Sequence, residues 1–270
     1  MNEPYAAIGE FAGSICENIL ANLHERTNDF RLGDGFETTT NSVFSALVAR
    51  QSALALGMAE SPLTWNGHIA PLILRSMIDL LITIRWIAMS PRERSAEYVN
   101  YGLGSEKLLT AHYQKRIEEG EDSEVIRKIA EANLAWIEAQ QFQMFVEVNL
   151  GSWTGTSIRK MCEETGDKDL YNFSYVPFSS AVHNMWNHVG KWNAKTCENP
   201  MHKQHSVGEI IDAWPIVDFM FRACKYLELT LDAFDNFFEF QTKIASPIEN
   251  FSKHIEELGA AWNEEQAKEV

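Results

Sequence analysis

Residues 69–89, IAPLILRSMIDLLITIRWIAM, form the longest apolar run in the chain. This run indicates the fold class of the protein. Three charged residues interrupt the run: Arg75, Asp79 and Arg85. A membrane span rarely carries so many charges, so the run predicts a helix buried in a protein core. That helix is expected to end at Ser90, because the proline that follows disfavours helical backbone in the residue before it.

The flanking sequence repeats the spacing of three and four between apolar side chains that is typical of amphipathic helices. Candidate helices cover residues 11–23, 38–58, 91–119, 123–145, 157–164, 167–189 with a break near Pro177, 207–240 with a kink at Pro215, and 247 onward. We therefore predict an all-α fold in which residues 1–270 form a single domain of long, mostly antiparallel helices, a helical bundle. A sub-boundary near residue 150 is an alternative. Residues 190–206 are expected to form an irregular loop.

The composition limits the partners of the chain. Its 38 acidic residues outnumber 23 basic ones, for a net charge of −15 over 270 residues. An acidic surface repels long DNA tracts and anionic membranes, so we expect neither as a partner. Four cysteines without a C-x-x-C pair, and an N-terminus without the basic start of a signal peptide, predict a reduced, cytoplasmic protein.

Motifs of the common enzyme classes are absent from the sequence. It contains no P-loop, no G-x-G-x-x-G fingerprint, no H-E-x-x-H zinc motif and no G-x-S-x-G nucleophile elbow. No arginine is followed by histidine at the spacing used by helical HEPN ribonucleases. These absences argue against the usual NTPases and hydrolases, and the sequence does not identify a cofactor.

Arg75 and Asp79 lie four residues apart in the most apolar helix, which places them on the same face. Buried charges persist when they are paired, so one interpretation is an internal ion pair that orients neighbouring helices. The other is that Arg75 faces a cavity and binds a ligand. Either way, we expect Arg75 to contact Asp79 or a residue between positions 171 and 188.

A second polar cluster follows Tyr175. If residues 176–189 are helical, Ser180, His183, Asn184 and Asn187 form a polar stripe along one face. A satisfied structural network is one interpretation of the stripe. An active site is the other, with His183 as general acid or base, Ser180 as its partner, and Asn184 and Asn187 binding the substrate.

Cys197, His202 and His205 form a third cluster. A thiolate and two imidazoles are zinc ligands, but the spacing matches no standard zinc finger. Histidine pairs are also common in loops without metal, so no metal ligand is predicted.

Taken together, these positions resemble a bacterial family catalogued as domain-of-unknown-function family 5677. The resemblance spans residues 42–192 and rests on R-x-x-x-D at Arg75 and Asp79, followed by Tyr175 and the S-x-x-H of Ser180 and His183. The chain departs from the pattern by having Asp79 where the family has Glu, and by an Asn/His-rich segment after His183. The resemblance implies that these five residues converge in the folded protein, and it suggests a relationship to toxin or phage-defence components.

Two functions follow as hypotheses. In the first, the chain is a bacterial defence or toxin-type protein whose pocket acts on RNA or a nucleotide, with Arg75 binding phosphate alongside Asp79 and Tyr175. In the second, it is a non-catalytic interaction or sensing subunit, and the polar cluster is a structural network. A second copy of the chain or another protein is the expected partner in that case.

Overall fold

The computed structural model describes residues 3–28, 38–120, 123–144, 156–203, 205–211 and 215–268, and its architecture is all-α. The helices are α1 (Glu3–Asn28), α2 (Thr38–Ala59), α3 (Ala70–Ala88), α4 (Pro91–Glu118), α5 (Glu124–Met144), α6 (Ile158–Thr165), α7 (Lys168–Leu170), α8 (Val176–Val182), α9 (Trp186–Trp192), α10 (Val217–Phe238) and α11 (Pro247–Lys268). A 3-10 turn, Pro62–Thr64, precedes α3, and a π-helical turn, Tyr171–Tyr175, joins α7 to α8. The predicted fold class is confirmed.

Helix α3 lies at the centre of the core. It packs against α2, α4, α6, α8 and α10, and side chains along its length, including Leu74, Ile78 and Leu81, are fully buried. Each such side chain contributes about 1.5–3 kcal/mol by leaving water. The prediction of a core helix from the apolar run is therefore correct, and any charge on α3 must be accommodated beside this core.

Helices α4 and α5 pack against each other and contribute few residues to the core. Gly120, with φ of 95°, ends α4 in a left-handed conformation that glycine adopts without steric cost. Large apolar side chains on this helical pair stay exposed, among them Leu108, Val125 and Trp136. We call these two helices the α4–α5 arm.

The irregular loop predicted for residues 190–206 is wrong in two respects. Residues 190–192 complete α9, and a β-hairpin follows, with β1 (Ala194–Thr196) antiparallel to β2 (Ser206–Gly208). Lys195 pairs with Val207 at the centre of the register. The strands are three residues long and mostly exposed, so they carry no alternating apolar pattern by which sequence reasoning could find them.

Pro215 does not kink a long helix. Helix α10 begins at Val217, so the proline precedes it, where its missing N–H costs no intrahelical hydrogen bond. Residues 212–214, which were predicted to be helical, lie outside the described part of the chain. The alternative boundary near residue 150 also lies outside it, within residues 145–155.

One described helix, α2, is long and apolar enough by length and composition to cross a membrane. Half of its apolar window is buried inside the protein, where it packs against α1, α3, α4 and α10. Packing in a bundle core accounts for the same apolar composition.

Candidate functional site

The pair predicted on α3 is present. Arg75 and Asp79 lie one turn apart, and the guanidinium forms an ion pair with the carboxylate. The Arg75 side chain is only 11% exposed, whereas the Asp79 side chain is 41% exposed. The expected contact is confirmed, with Arg75 largely covered and Asp79 partly exposed.

Side chains from the facing wall complete the surroundings of Arg75. Its Nε donates a hydrogen bond to Ser179 Oγ at 2.8 Å. Its guanidinium carbon lies 3.4 Å from the centre of the Tyr175 ring, which in turn stacks on Tyr171 at 5.0 Å between centroids. An aromatic face attracts a cation through its quadrupole. A carboxylate, a hydroxyl and an aromatic face therefore hold Arg75, and we call Arg75, Asp79, Tyr175 and Ser179 the Arg75 network.

The π-helical turn Tyr171–Tyr175 presents the two tyrosines to α3, and Pro177 explains why it forms. A proline ring clashes with the carbonyl four residues earlier, here that of Phe173, and supplies no N–H to bond it. The Val176 N–H instead bonds to the Tyr171 carbonyl, five residues back, which widens the turn. The break expected near Pro177 is thus a π-helical turn before the proline. Such turns are frequent at functional sites.

Ser180 is not free to act beside His183. It is 5% exposed, its Oγ accepts a hydrogen bond from Asn187 Nδ2 at 2.9 Å, and it points back toward the Val176 carbonyl at 3.4 Å. This bond ties α8 to α9 across the break between them. Ser180 therefore has a structural role in holding α8 and α9 together.

The predicted polar stripe does not form, because α8 ends at Val182 and α9 begins at Trp186. Asn184 has φ of 52°, a left-handed conformation that asparagine tolerates better than most residues, and it turns the chain. The His183 side chain is exposed and contacts no polar, charged or aromatic group of any described residue. Of the residues expected to converge, Arg75, Asp79 and Tyr175 do so, while Ser180 and His183 lie apart from the network.

Ser179 is the residue that sequence reasoning missed. It follows Tyr175 by four positions, so the two share a helical face, and this spacing is the signal that could have identified it. The polar stripe predicted with His183 contains Ser180 and leaves Ser179 on a different face of the helix.

A second ion pair lies further along α3. The Arg85 guanidinium contacts the Asp167 carboxylate, and both side chains are largely covered, at 28% and 12% exposure. Nearby, Glu164 accepts hydrogen bonds from Trp86 Nε1 at 2.7 Å and from Arg94 at 3.3 Å. Arg85 therefore helps to attach the segment after α6 to the core.

A cleft of about 370 Å³ opens on the other face of the π-helical turn. Its lining includes three cations, Arg85, Arg222 and Lys225, and the 74% exposed ring of Phe173. Three carboxylates also line it, those of Asp167, Asp169 and Asp218. Arg222 Nε donates to Asp218 at 2.7 Å, so this pair is already engaged at the cleft edge. We call this space the cationic cleft.

A larger cleft of about 540 Å³ lies on the other side of Arg85. Its other charged lining residues are Glu164 and Asp232. Burial and the nearby carboxylates of Glu228 and Asp235 raise the pKa of Asp232. This surplus of negative charge makes the larger cleft a poorer site for an anion than the cationic cleft.

Burial shifts the pKa values of two residues in the Arg75 network, Asp79 and Tyr175. It raises the pKa of Asp79 above the usual 3.8, and the adjacent Arg75 only partly opposes the rise. Burial also raises the pKa of the Tyr175 phenol. The desolvation of the Asp79 carboxylate therefore outweighs its attraction to Arg75, as is common for partly buried pairs.

Residues 41–199 match the family of unknown function DUF5677. The chain belongs to this family. The resemblance noted from its sequence is thereby confirmed. No curated protein and no solved structure matches the chain.

The DUF5677 region contains the entire Arg75 network and the π-helical turn. It ends within the loop of the β-hairpin and leaves out α10. Arg222 and Lys225, which line one wall of the cationic cleft, therefore lie beyond the DUF5677 region.

Proposed function

We propose that this chain is a cytoplasmic, bacterial protein of the defence or toxin type that binds a nucleotide or the end of a short RNA. The observation that carries the proposal is the cationic cleft. It gathers Arg85, Arg222 and Lys225 beside the exposed ring of Phe173, and these cations balance the three carboxylates of the lining in a chain whose overall charge is −15. A local group of cations on an acidic protein favours a small anion and disfavours a long polyanion.

The cleft offers a group for each part of a nucleotide. Arginine and lysine bind phosphate oxygens, and Arg222 and Lys225 lie one turn apart on α10. The Phe173 ring is available for stacking on a base, an interaction that tolerates every base. The carboxylates of Asp169 and Asp218 can accept hydrogen bonds from ribose hydroxyls.

The Arg75 network is the scaffold of this site under the proposal. Arg75 is engaged by Asp79, Ser179 and Tyr175, so its guanidinium is largely occupied. By fixing the π-helical turn, it sets the position of Phe173 on the opposite face. His183 remains a candidate proton carrier because its imidazole is exposed.

Calorimetric titration with AMP, ATP, GTP and a tetranucleotide RNA tests the proposal. We expect at least one of these ligands to bind, and Arg222→Ala with Lys225→Ala to weaken it about tenfold or more by removing two charged contacts. Lys107→Ala, on the exposed surface of α4, is the matched control and should leave binding unchanged. Absence of binding by all four ligands, or equal binding by the cleft variant, contradicts the proposal.

A second function, that of a non-catalytic interaction subunit, is favoured by the α4–α5 arm. Leu108, Val125 and Trp136 are 55%, 66% and 48% exposed there. Large exposed apolar side chains on one pair of packed helices mark a candidate protein interaction site. Light scattering after size-exclusion chromatography tests this function with the wild type and Leu108→Glu. A dimer that the substitution dissociates supports it, whereas a monomer that turns over a nucleotide contradicts it.

A further inference from the structure

The loop of the β-hairpin brings together a cysteine and two histidines. Cys197 directly follows β1 and His205 directly precedes β2, so the paired strands bring them to the same end of the hairpin. The Cys197 N–H donates to the His205 carbonyl at 2.9 Å, which extends the strand pairing by one step. The backbone of the hairpin thereby positions two of the three side chains.

The remaining side chain, His202, is positioned by a tight turn. Its N–H donates to the Asn199 carbonyl at 2.9 Å, and the Asn199 side chain accepts from the Met201 N–H at 3.0 Å. These bonds direct the loop back toward the strands. The His202 and His205 rings consequently lie 5.4 Å apart between centroids.

The donor atoms of the three side chains lie close enough for one ion. The Cys197 Sγ, and one ring nitrogen each from His202 and His205, are all within 4.8 Å of one another. Cys197 Sγ is 3.7 Å from His202 Nδ1. Tetrahedral zinc, with Zn–S of about 2.3 Å and Zn–N of about 2.0–2.1 Å, requires a sulfur–nitrogen separation of about 3.5 Å. Because all three donor atoms lie within 4.8 Å of one another, small side-chain rotations bring them to that separation.

We propose that Cys197, His202 and His205 bind one Zn²⁺, with water as the fourth ligand. A thiolate combined with imidazoles selects zinc over magnesium and calcium, which prefer oxygen ligands. The bond forms between Zn²⁺ and the Cys197 sulfur as the thiol proton leaves to solvent, so each ion bound releases one proton from this residue. The Asn199 amide lies 3.4 Å from His202 Nε2, where it can orient the ring from its other side.

Two other cysteines, Cys162 and Cys224, are unsuited to this role because both are buried. Burial raises the pKa of the Cys162 thiol to about 11 and raises that of Cys224 as well, so both stay protonated and inaccessible. Cys197 is half-buried at the edge of an exposed hairpin. Cys16 is half-buried as well, but among the described residues only Cys197 is grouped with two histidines.

Titration of the metal-free full-length chain with Co²⁺ tests the site, because thiolate-bound cobalt gives a charge-transfer band and visible d–d bands. We expect saturation at one ion per chain, with displacement of Co²⁺ by Zn²⁺. Cys197→Ser should abolish the charge-transfer band, and His202→Gln and His205→Gln should each weaken binding about tenfold or more. Cys16→Ser and His112→Gln, which lie on α1 and α4, are the matched controls and should bind as the wild type does.

Circular dichroism of the same samples checks that each variant folds. The hairpin lies outside the helical core, His112 is exposed, and serine is close in size to the cysteine that it replaces at Cys16, so all five variants should retain the wild-type helical signal. Absence of the charge-transfer band in the folded wild type overturns the proposal. A band that persists in Cys197→Ser, or is lost equally in Cys16→Ser, overturns it as well.

Discussion

The two faces of the π-helical turn Tyr171–Tyr175 differ in whether they leave a cation unpaired. On one face, Arg75 is covered and its guanidinium is engaged by a carboxylate, a hydroxyl and a tyrosine ring. On the other face, Arg85 and Arg222 are paired with Asp167 and Asp218, while Phe173 is exposed and Lys225 has no described ion-pair partner. The comparison teaches that the arginine most conspicuous in the sequence fixes the fold, while a less conspicuous set of cations faces a space that a ligand can enter.

Arg75→Ala is the substitution expected to have the largest effect on the stability that the Arg75 network provides. We expect it to lower the free energy of unfolding by about 3 kcal/mol, because it leaves the Asp79 carboxylate unpaired and the Tyr175 ring uncovered. Partial hydration of Asp79, at 41% exposure, keeps the loss at the low end for such pairs. Urea unfolding followed by circular dichroism measures it. A loss below about 0.5 kcal/mol would mean that the network does not stabilise the fold.

Arg75→Lys tests whether the positive charge of the guanidinium or its planar shape stabilises the Arg75 network. Lysine keeps the positive charge but lacks the planar fork that stacks on Tyr175 while bonding Ser179, so we expect a loss of about 2 kcal/mol. The same urea experiment measures it. Stability equal to that of the wild type would show that the charge alone matters at this position.

Neighbouring serines provide a matched pair of substitutions. Ser179→Ala removes an acceptor from a guanidinium and should cost about 1.5 kcal/mol, because hydrogen bonds to charged groups are the stronger ones. Ser180→Ala removes a neutral bond to Asn187, whose exposed amide can bond to water instead, and should cost about 1 kcal/mol or less. The reverse order in urea unfolding would indicate that Ser180, and not Ser179, serves the site.

The smallest expected effect is the change in stability with pH that Asp79 causes. Because burial raises the pKa of Asp79 above 3.8, the folded chain binds this proton more tightly than the unfolded chain does. The resulting stabilisation is complete below pH 3.8 and is lost as pH rises through the higher pKa of the folded state. Asp79→Asn should therefore flatten the fall in stability above pH 4, by under about 1 kcal/mol for so exposed a side chain. Urea midpoints of both proteins from pH 4 to 7 give the comparison, and a steeper fall in the variant would contradict it.

The fold and half of the site follow from patterns in the sequence. The apolar run identifies α3, and the spacing of Arg75 and Asp79 predicts their ion pair, because both depend only on helical periodicity. The predicted polar stripe of Ser180, His183, Asn184 and Asn187 is wrong because it required a continuous helix, and α8 ends at Val182. The left-handed turn at Asn184 shifts all later side chains, and no local signal announces it.

The cationic cleft escapes sequence reasoning for a different reason. Phe173 and Lys225 are separated by about fifty residues and meet only when α10 packs beside the π-helical turn. The β-hairpin is similar, since its exposed three-residue strands give no apolar alternation and only their pairing brings Cys197 to His205. A site formed by residues that are distant in sequence can be found only from the three-dimensional structure, whereas a site formed within one helix can be predicted from the sequence.

The difference between the two faces is tested most directly by a crystal structure of the chain bound to ADP. Our account predicts the phosphates against Arg222 and Lys225, the base on Phe173, and the bond from Arg75 Nε to Ser179 Oγ unchanged. Phosphates bound to Arg75, with the Ser179 bond broken and the cationic cleft empty, would contradict it.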